Sequence, residues 1–157
     1  MDKEYYDALA KVRLERAKEL LEEAIGLLER ESYKSANNRA FYAMEKSIKA
    51  LLAMAQMEAT THNGGLKQFN YCFIYNGDGT FTSEDYQKIA GAEQIRTASD
   101  YDDFYVASKE ETRQLIENTK YIVNKIDSYI IDRMCKDEDI LLQETVESEI
   151  SEEDMEQ

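Results

Sequence analysis

Ten residues, from Arg96 to Tyr105, set one guanidinium beside the carboxylates of Asp100, Asp102 and Asp103 and the phenols of Tyr101 and Tyr105. A hydrophobic core has no use for that mixture. An Arg with Asp and Tyr within about a turn of it holds phosphate or ribose through charge-assisted, bidentate hydrogen bonds. Arg96, Asp100 and Tyr101 are therefore the candidate catalytic residues. His62, the single histidine, joins them as proton carrier if its loop returns to Arg96, and otherwise fixes a helix end or loop.

A second set lies earlier in the chain. Arg39 and Tyr42 are three residues apart and share one helical face, with Asn37 and Asn38 adding amide donors. Two readings stand side by side. In one, Arg39 faces Arg96 across a cleft and both cations hold one phosphate, so that Arg39, Tyr42, Asn38 and Arg96 bind the ligand. In the other, Arg39 pairs with an acid of a neighbouring helix and Tyr42 fills core. Asp100, Asp102 and Asp103 read as capping or solvated acids, so no metal is expected. Cys72 and Cys135 form no CxxC pair and have only His62 for company, which makes reduced thiols the expectation rather than a zinc site. No cofactor is implied.

The elements that must position these groups are helical. The sequence has no proline and only 6 glycines in 157 residues, a composition that long helices tolerate. Apolar residues recur every three or four positions from Tyr5 to Leu28, predicting a first helix over about 4–30. Ser32 is placed to cap a second, Tyr33 to Met57, whose many alanines suit the centre of a bundle. Thr60 to Gly65 reads as a turn, then Leu66, Phe69, Cys72 and Phe73 as a short helix stopped by Asn76-Gly77-Asp78-Gly79. That stop links helices in the preferred reading and a small hairpin in the alternative. Ser83 is expected to cap a fourth helix to about Ala98 or Ser99, and Ser108 with Glu111 forms a capping box for a fifth, to about Met134. The fold class is all-α, a four- to five-helix up-and-down bundle in one domain over residues 1–136.

Charge divides the chain. The formal net charge is −14, but residues 137–157 hold ten acids and no Lys or Arg, leaving 23 acids against 19 bases in residues 1–136. Most of the acidity is thus a C-terminal tail, expected to be disordered and solvating, or else an anionic mimic that covers a basic partner or the protein's own cationic site. The N-terminus begins no signal peptide and no apolar run nears the roughly 20 residues of a membrane span. A cytoplasmic protein is expected.

Three runs in this order resemble the HEPN family, small helical domains named for nucleotide binding in higher eukaryotes and prokaryotes: Tyr33 to Leu52 with Arg39 and Tyr42, His62 to Phe69, and Arg96-Thr-Ala-Ser-Asp100-Tyr101. The resemblance covers about residues 5–133 and is to the branch without a fused nucleotidyltransferase. It implies a homodimer that binds RNA or nucleotide, often encoded beside a minimal nucleotidyltransferase as a toxin and antitoxin pair. Many members of the family are metal-independent ribonucleases in which an Arg holds the scissile phosphate and a His, after four to six intervening residues, moves protons. From Arg96 those positions carry Tyr101, Asp102 and Asp103. The resemblance therefore leaves three readings open: a binding protein, a ribonuclease with a non-standard motif, and an inactive interaction module. In the histidine-bearing branch a tyrosine just past the motif can be adenylylated by the partner, so the resemblance makes Tyr101 and Tyr105 candidate acceptors, with packing as the alternative use of these phenols.

Overall fold

The computed structural model describes residues 2–58 and 62–156, with the backbone alone for 62, 63 and 152–156. Its elements are α1 (Lys3–Glu29), α2 (Tyr33–Met54), α3 (His62–Phe69) running into a π-helical turn (Asn70–Tyr75), α4 (Ser83–Tyr101) and α5 (Lys109–Glu156). No strand occurs among the described residues, so Asn76 to Thr80 links helices.

Helix α2 touches α1, α3, α4 and α5. Its alanines explain this central place. Ala36, Ala40, Ala43, Ala50 and Ala53 are fully buried, and side chains that small let neighbouring backbones come close. Between them α2 inserts Phe41, Met44, Ile48, Leu51 and Leu52, and α5 contributes Leu115, Ile116, Ile122, Val123, Ile126 and Ile130. Each such burial is worth roughly 1.5–3 kcal/mol before the entropy of ordering is counted.

Helix ends depart from the sequence expectation in instructive ways. Both α1 and α2 close with a non-glycine residue in the left-handed region, Glu31 at φ 63° and Gln56 at φ 59°. The hydrogen bonds Ser32 N to Leu27 O and Met57 N to Leu52 O cover carbonyls that a helix end leaves bare. Ser32 stands at the N-cap of α2, yet its side chain makes no capping hydrogen bond. Gly64 and Gly65 lie inside α3 rather than in a turn. Gly65 is buried beside a small hollow lined by Phe41, Ile48 and Ile89. Thr60 and Thr61 lie outside the described residues.

The cap of α4 is Thr82, not Ser83. Thr82 Oγ1 accepts from Asp85 N at 3.3 Å while Asp85 Oδ2 accepts from Thr82 N at 3.0 Å, a reciprocal box that Ser83, one residue too late, cannot make. The helix runs on to Tyr101, so Asp100 and Tyr101 are helical and not in a loop. At α5, Ser108 Oγ accepts from Glu111 N at 3.1 Å, but the Glu111 carboxylate is taken by the Tyr105 hydroxyl instead of closing the box. Beyond Lys136 the acidic segment continues α5, and every residue from Glu138 to Ser151 is exposed. It stands outside the core, as the charge division implies, and local helix propensity alone supports it.

One buried polar pair staples α4 to α5. Lys125 Nζ lies 2.7 Å from Asp85 Oδ2, whose side chain is 1% exposed. Burial alone would raise the Asp85 carboxyl, but hydrogen bonds from Lys125, Thr82 and Tyr121 outweigh it and hold it below its ordinary value. Burial likewise works to lower Lys125, and its bonds to Asp85 and Tyr121 lift it above its ordinary value. Asp85 thus contributes stability that is present above about pH 4 and lost as pH falls through its lowered value. The contribution of Lys125 is lost only as pH rises past its own raised value. Lys125→Met strands a buried carboxylate and is expected to cost about 2–4 kcal/mol in urea unfolding near pH 7. The gap to the parent chain should shrink below about pH 4, and adding Asp85→Asn should recover part of it; equal stability of Lys125→Met and the parent would contradict the pairing.

Candidate phosphate-binding groove

Arg96 is 8% exposed. Its guanidinium carbon sits 5.0 Å from the Phe41 ring centroid and 5.8 Å from that of Tyr42, so consecutive rings of α2 form a bed for a cation. The acid beside it is Asp100, one turn along α4, with Nη1 to Oδ2 at 3.7 Å. That separation is too long for a strong hydrogen bond. Arg96 Nε has no hydrogen-bond partner. The guanidinium therefore neither points into solvent nor is clamped by acids. It lies beneath the surface, under a polar clasp between α2 and α4.

The clasp is made of amides. Asn38 Nδ2 donates to both Asp100 oxygens, at 3.0 and 3.2 Å. Asn37 Nδ2 donates to Ser99 Oγ at 3.1 Å, and Ser99 Oγ donates to Ile95 O at 2.7 Å. Asn37, fully buried, keeps an Oδ1 with no partner. Buried groups left open like this are uncommon in folded proteins.

Over the clasp lies a groove of about 470 Å³ lined by Lys34, Ser35, Asn38, Arg39, Ser99 and Asp100, with Leu27 at its edge. Lys34 and Ser35 belong to the first turn of α2, where helix amides have no intrahelical acceptor and the dipole is positive. Because the Ser32 side chain caps nothing, those amides are available, which is how helix N-termini receive anions. Arg39 Nε is 3.2 Å from Glu23 of α1, and its Nη1 donates to Asn38 Oδ1 at 3.1 Å. Arg39 thus lies on the groove wall tied to α1, as in the packing alternative of the two readings, and Arg96 is not among the residues that line the groove.

The remaining candidates separate. Tyr42 is part of the bed under Arg96, not of the groove wall. Tyr101 is 75% exposed and borders a different hollow of about 560 Å³ on α4, with Ala90, Gln94, Thr97 and Ala98. Tyr105 is held by Glu111. Asp102 ends α4, with its N–H bonded to Ala98 O and Oδ1 accepting from Phe104 N at 3.0 Å. The side chain of His62 lies outside the described residues. Among the described residues no three His, Cys, Asp or Glu are grouped to hold a metal ion, and no helix is long and apolar enough to cross a membrane. Lys34, Ser35 and Ser99 were not singled out by the sequence, although a lysine in the first turn after Ser32 is a legible sign of an anion-receiving helix end.

A family model described as the HEPN domain matches residues 10–129. A protein of Methanocaldococcus jannaschii named as a candidate toxin is 31% identical over 133 residues, covering 85% of this chain and 88% of that protein. A UPF0332 protein of Thermotoga maritima is 28% identical over 122 residues, covering 74% of this chain and 87% of its own length. The crystal structure of an archaeal HEPN homologue has the same fold, with a TM-score of 0.60 at 19% identity over 77% of this chain and 97% of that one.

If Arg96 is kept for a ligand rather than for the fold, replacing it with a side chain that still covers the rings should be tolerated. Arg96→Met lays a thioether on Phe41 and Tyr42 and removes an imperfectly satisfied cation, so urea unfolding should change by less than about 1 kcal/mol. A loss of about 3 kcal/mol or more, the order expected for a broken buried ion pair, would make Arg96 a structural post.

Proposed function

The chain belongs to the HEPN domain family, and from that premise we propose that it binds RNA or a nucleotide in the groove at the N-terminus of α2, as the toxin-like member of a toxin and antitoxin system. The observation that carries this reading is the meeting of the uncapped first turn of α2 with Lys34, Arg39 and an Arg96-backed Asp100 in one groove. Lys34 and the free amides take phosphate. Arg39 adds a second cation when phosphate competes with Glu23. Asp100 is an acceptor pointed at the same space, and a carboxylate there suits a ribose hydroxyl. Arg96 acts from behind, offsetting the charge of Asp100 so that an anion tolerates it.

The residues that succeed Arg96 favour binding over cleavage. The positions where the family's ribonucleases carry histidine hold Tyr101, Asp102 and Asp103, and Asp102 is engaged in ending α4. The protein works as a homodimer in the cytoplasm with a minimal nucleotidyltransferase partner. Of the two phenols, exposed Tyr101 is the better acceptor for a transferred nucleotide, because the hydroxyl of Tyr105 is bonded to Glu111.

Fluorescence anisotropy with a labelled single-stranded RNA tests the groove. Affinity should fall steeply between about 50 and 200 mM salt as released counterions dominate, with each phosphate contact adding roughly 0.7 to the log–log slope. Lys34→Ala with Arg39→Ala should weaken binding about tenfold or more. Asp100→Asn should narrow the preference for RNA over DNA, and the RNA should stay uncut. Binding that is indifferent to both changes would remove this reading; cleavage that disappears in Arg96→Met would replace it with the ribonuclease reading.

A further inference from the structure

The acidic end of α5 carries an apolar row that the bundle does not use. Ile131, Leu142, Val146 and Ile150 are 51–65% exposed. Leu142, Val146 and Ile150 stand at i, i+4 and i+8, one above another on a helix. The buried stripe of the same helix, with Ile126 and Ile130, faces elsewhere. At about 100° per residue Val146 lies about 200° round from Ile126 and about 160° from Ile130. The row is therefore on the outer side of α5 and not a prolongation of the seam with α2. Residues past 129 also fall beyond the family match, and from Glu138 to Ser151 nothing is buried.

Charge decides what can cover the row. At the same 100° per residue Glu138 and Glu149 lie on one side of the row and Glu147 on the other, Asp139 falls within it, and residues 137–157 hold ten acids and no base. A second copy laid along it would set acid against acid. Nucleic acid and an anionic lipid surface are repelled for the same reason. An uncharged apolar groove would have to strip water from those carboxylates without replacing its hydrogen bonds, which is unfavourable. We propose that the C-terminal overhang of α5, from Ile131 to Ile150, is a docking helix for a cationic protein surface, an apolar groove edged by Lys and Arg. In that complex the row enters the groove and the flanking acids meet basic side chains, so that charge sets the encounter rate and the orientation while the apolar row holds the complex. The contact spans about 28 Å along the helix axis.

The full chain can be titrated against a synthetic amphipathic helix of Leu and Lys, with a Lys and Gly peptide of equal charge as the comparison. The proposal expects the Leu and Lys helix to bind, to be weakened by salt, and to lose about tenfold or more in affinity with Val146→Glu and Ile150→Glu. Val12→Glu, at an exposed apolar residue on α1, should leave binding unchanged, and all these sites are exposed enough for the variants to fold. Equal binding of the Lys and Gly peptide would reduce the tail to bulk charge. Indifference to Val146→Glu, or a parent dimer that this substitution dissolves in sedimentation, would overturn the proposal in favour of no site or a second copy. Each result is independent of RNA binding in the groove, which Lys34→Ala and Arg39→Ala test separately.

Discussion

A guanidinium laid on two aromatic rings at the seam of α2 and α4 fixes the geometry that everything functional here uses. Phe41 can lie there only because α2 is central, and α2 is central because alanines at 36, 40, 43, 50 and 53 let four partners approach it. Arg96 then sits 5.0 Å over the Phe41 ring with a carboxylate 3.7 Å away. Burial of a cation is expensive unless it is compensated, and the compensation here is aromatic and incomplete. The incompleteness is informative, since Arg96 Nε and Asn37 Oδ1 are both left without partners on the two sides of the same seam.

From that bed upward the site is layered. Arg96 backs Asp100, Asp100 orients Asn38, and Asn38 in turn receives Arg39 at its carbonyl. The groove that opens above is walled by Lys34, Ser35, Asn38, Arg39, Ser99 and Asp100 and by a helix N-terminus whose Ser32 side chain makes no capping hydrogen bond. A capped helix would have spent those amides on its own serine. The opposite arrangement holds at α4, where Thr82 and Asp85 satisfy each other and Asp85 goes on to hold Lys125. One helix start is closed for stability, and the other is open.

Much of this was legible in the residues. The amphipathic stripes of α1, α2 and α5 and the central place of α2 all follow from periodicity and residue type. Other features depend on tertiary geometry that spacing does not carry. That Arg39 turns to Glu23 of α1 while Arg96 turns inward to Phe41 depends on which face of each helix the bundle buries. Gly64 and Gly65 look like a turn and lie instead inside α3. The extra turn of α4 through Tyr101 moves Asp100 from a loop to a helix face, which is why it can reach Asn38 at all. Lys34 carries only the local sign of its place in the first turn of α2 and Ser99 carries none, and only the convergence of α2 and α4 makes them neighbours.

The central claim is that phosphate enters at the first turn of α2, above Arg96. Titrating a short single-stranded RNA into isotopically labelled protein and following nitrogen–proton resonances tests it most directly. The backbone amides of Tyr33, Lys34 and Ser35 and the side-chain amide of Asn38 should shift together and saturate with one midpoint. If those signals stay fixed while resonances of α5 or of the Tyr101 hollow move, the ligand binds elsewhere and the groove is only a polar joint between helices.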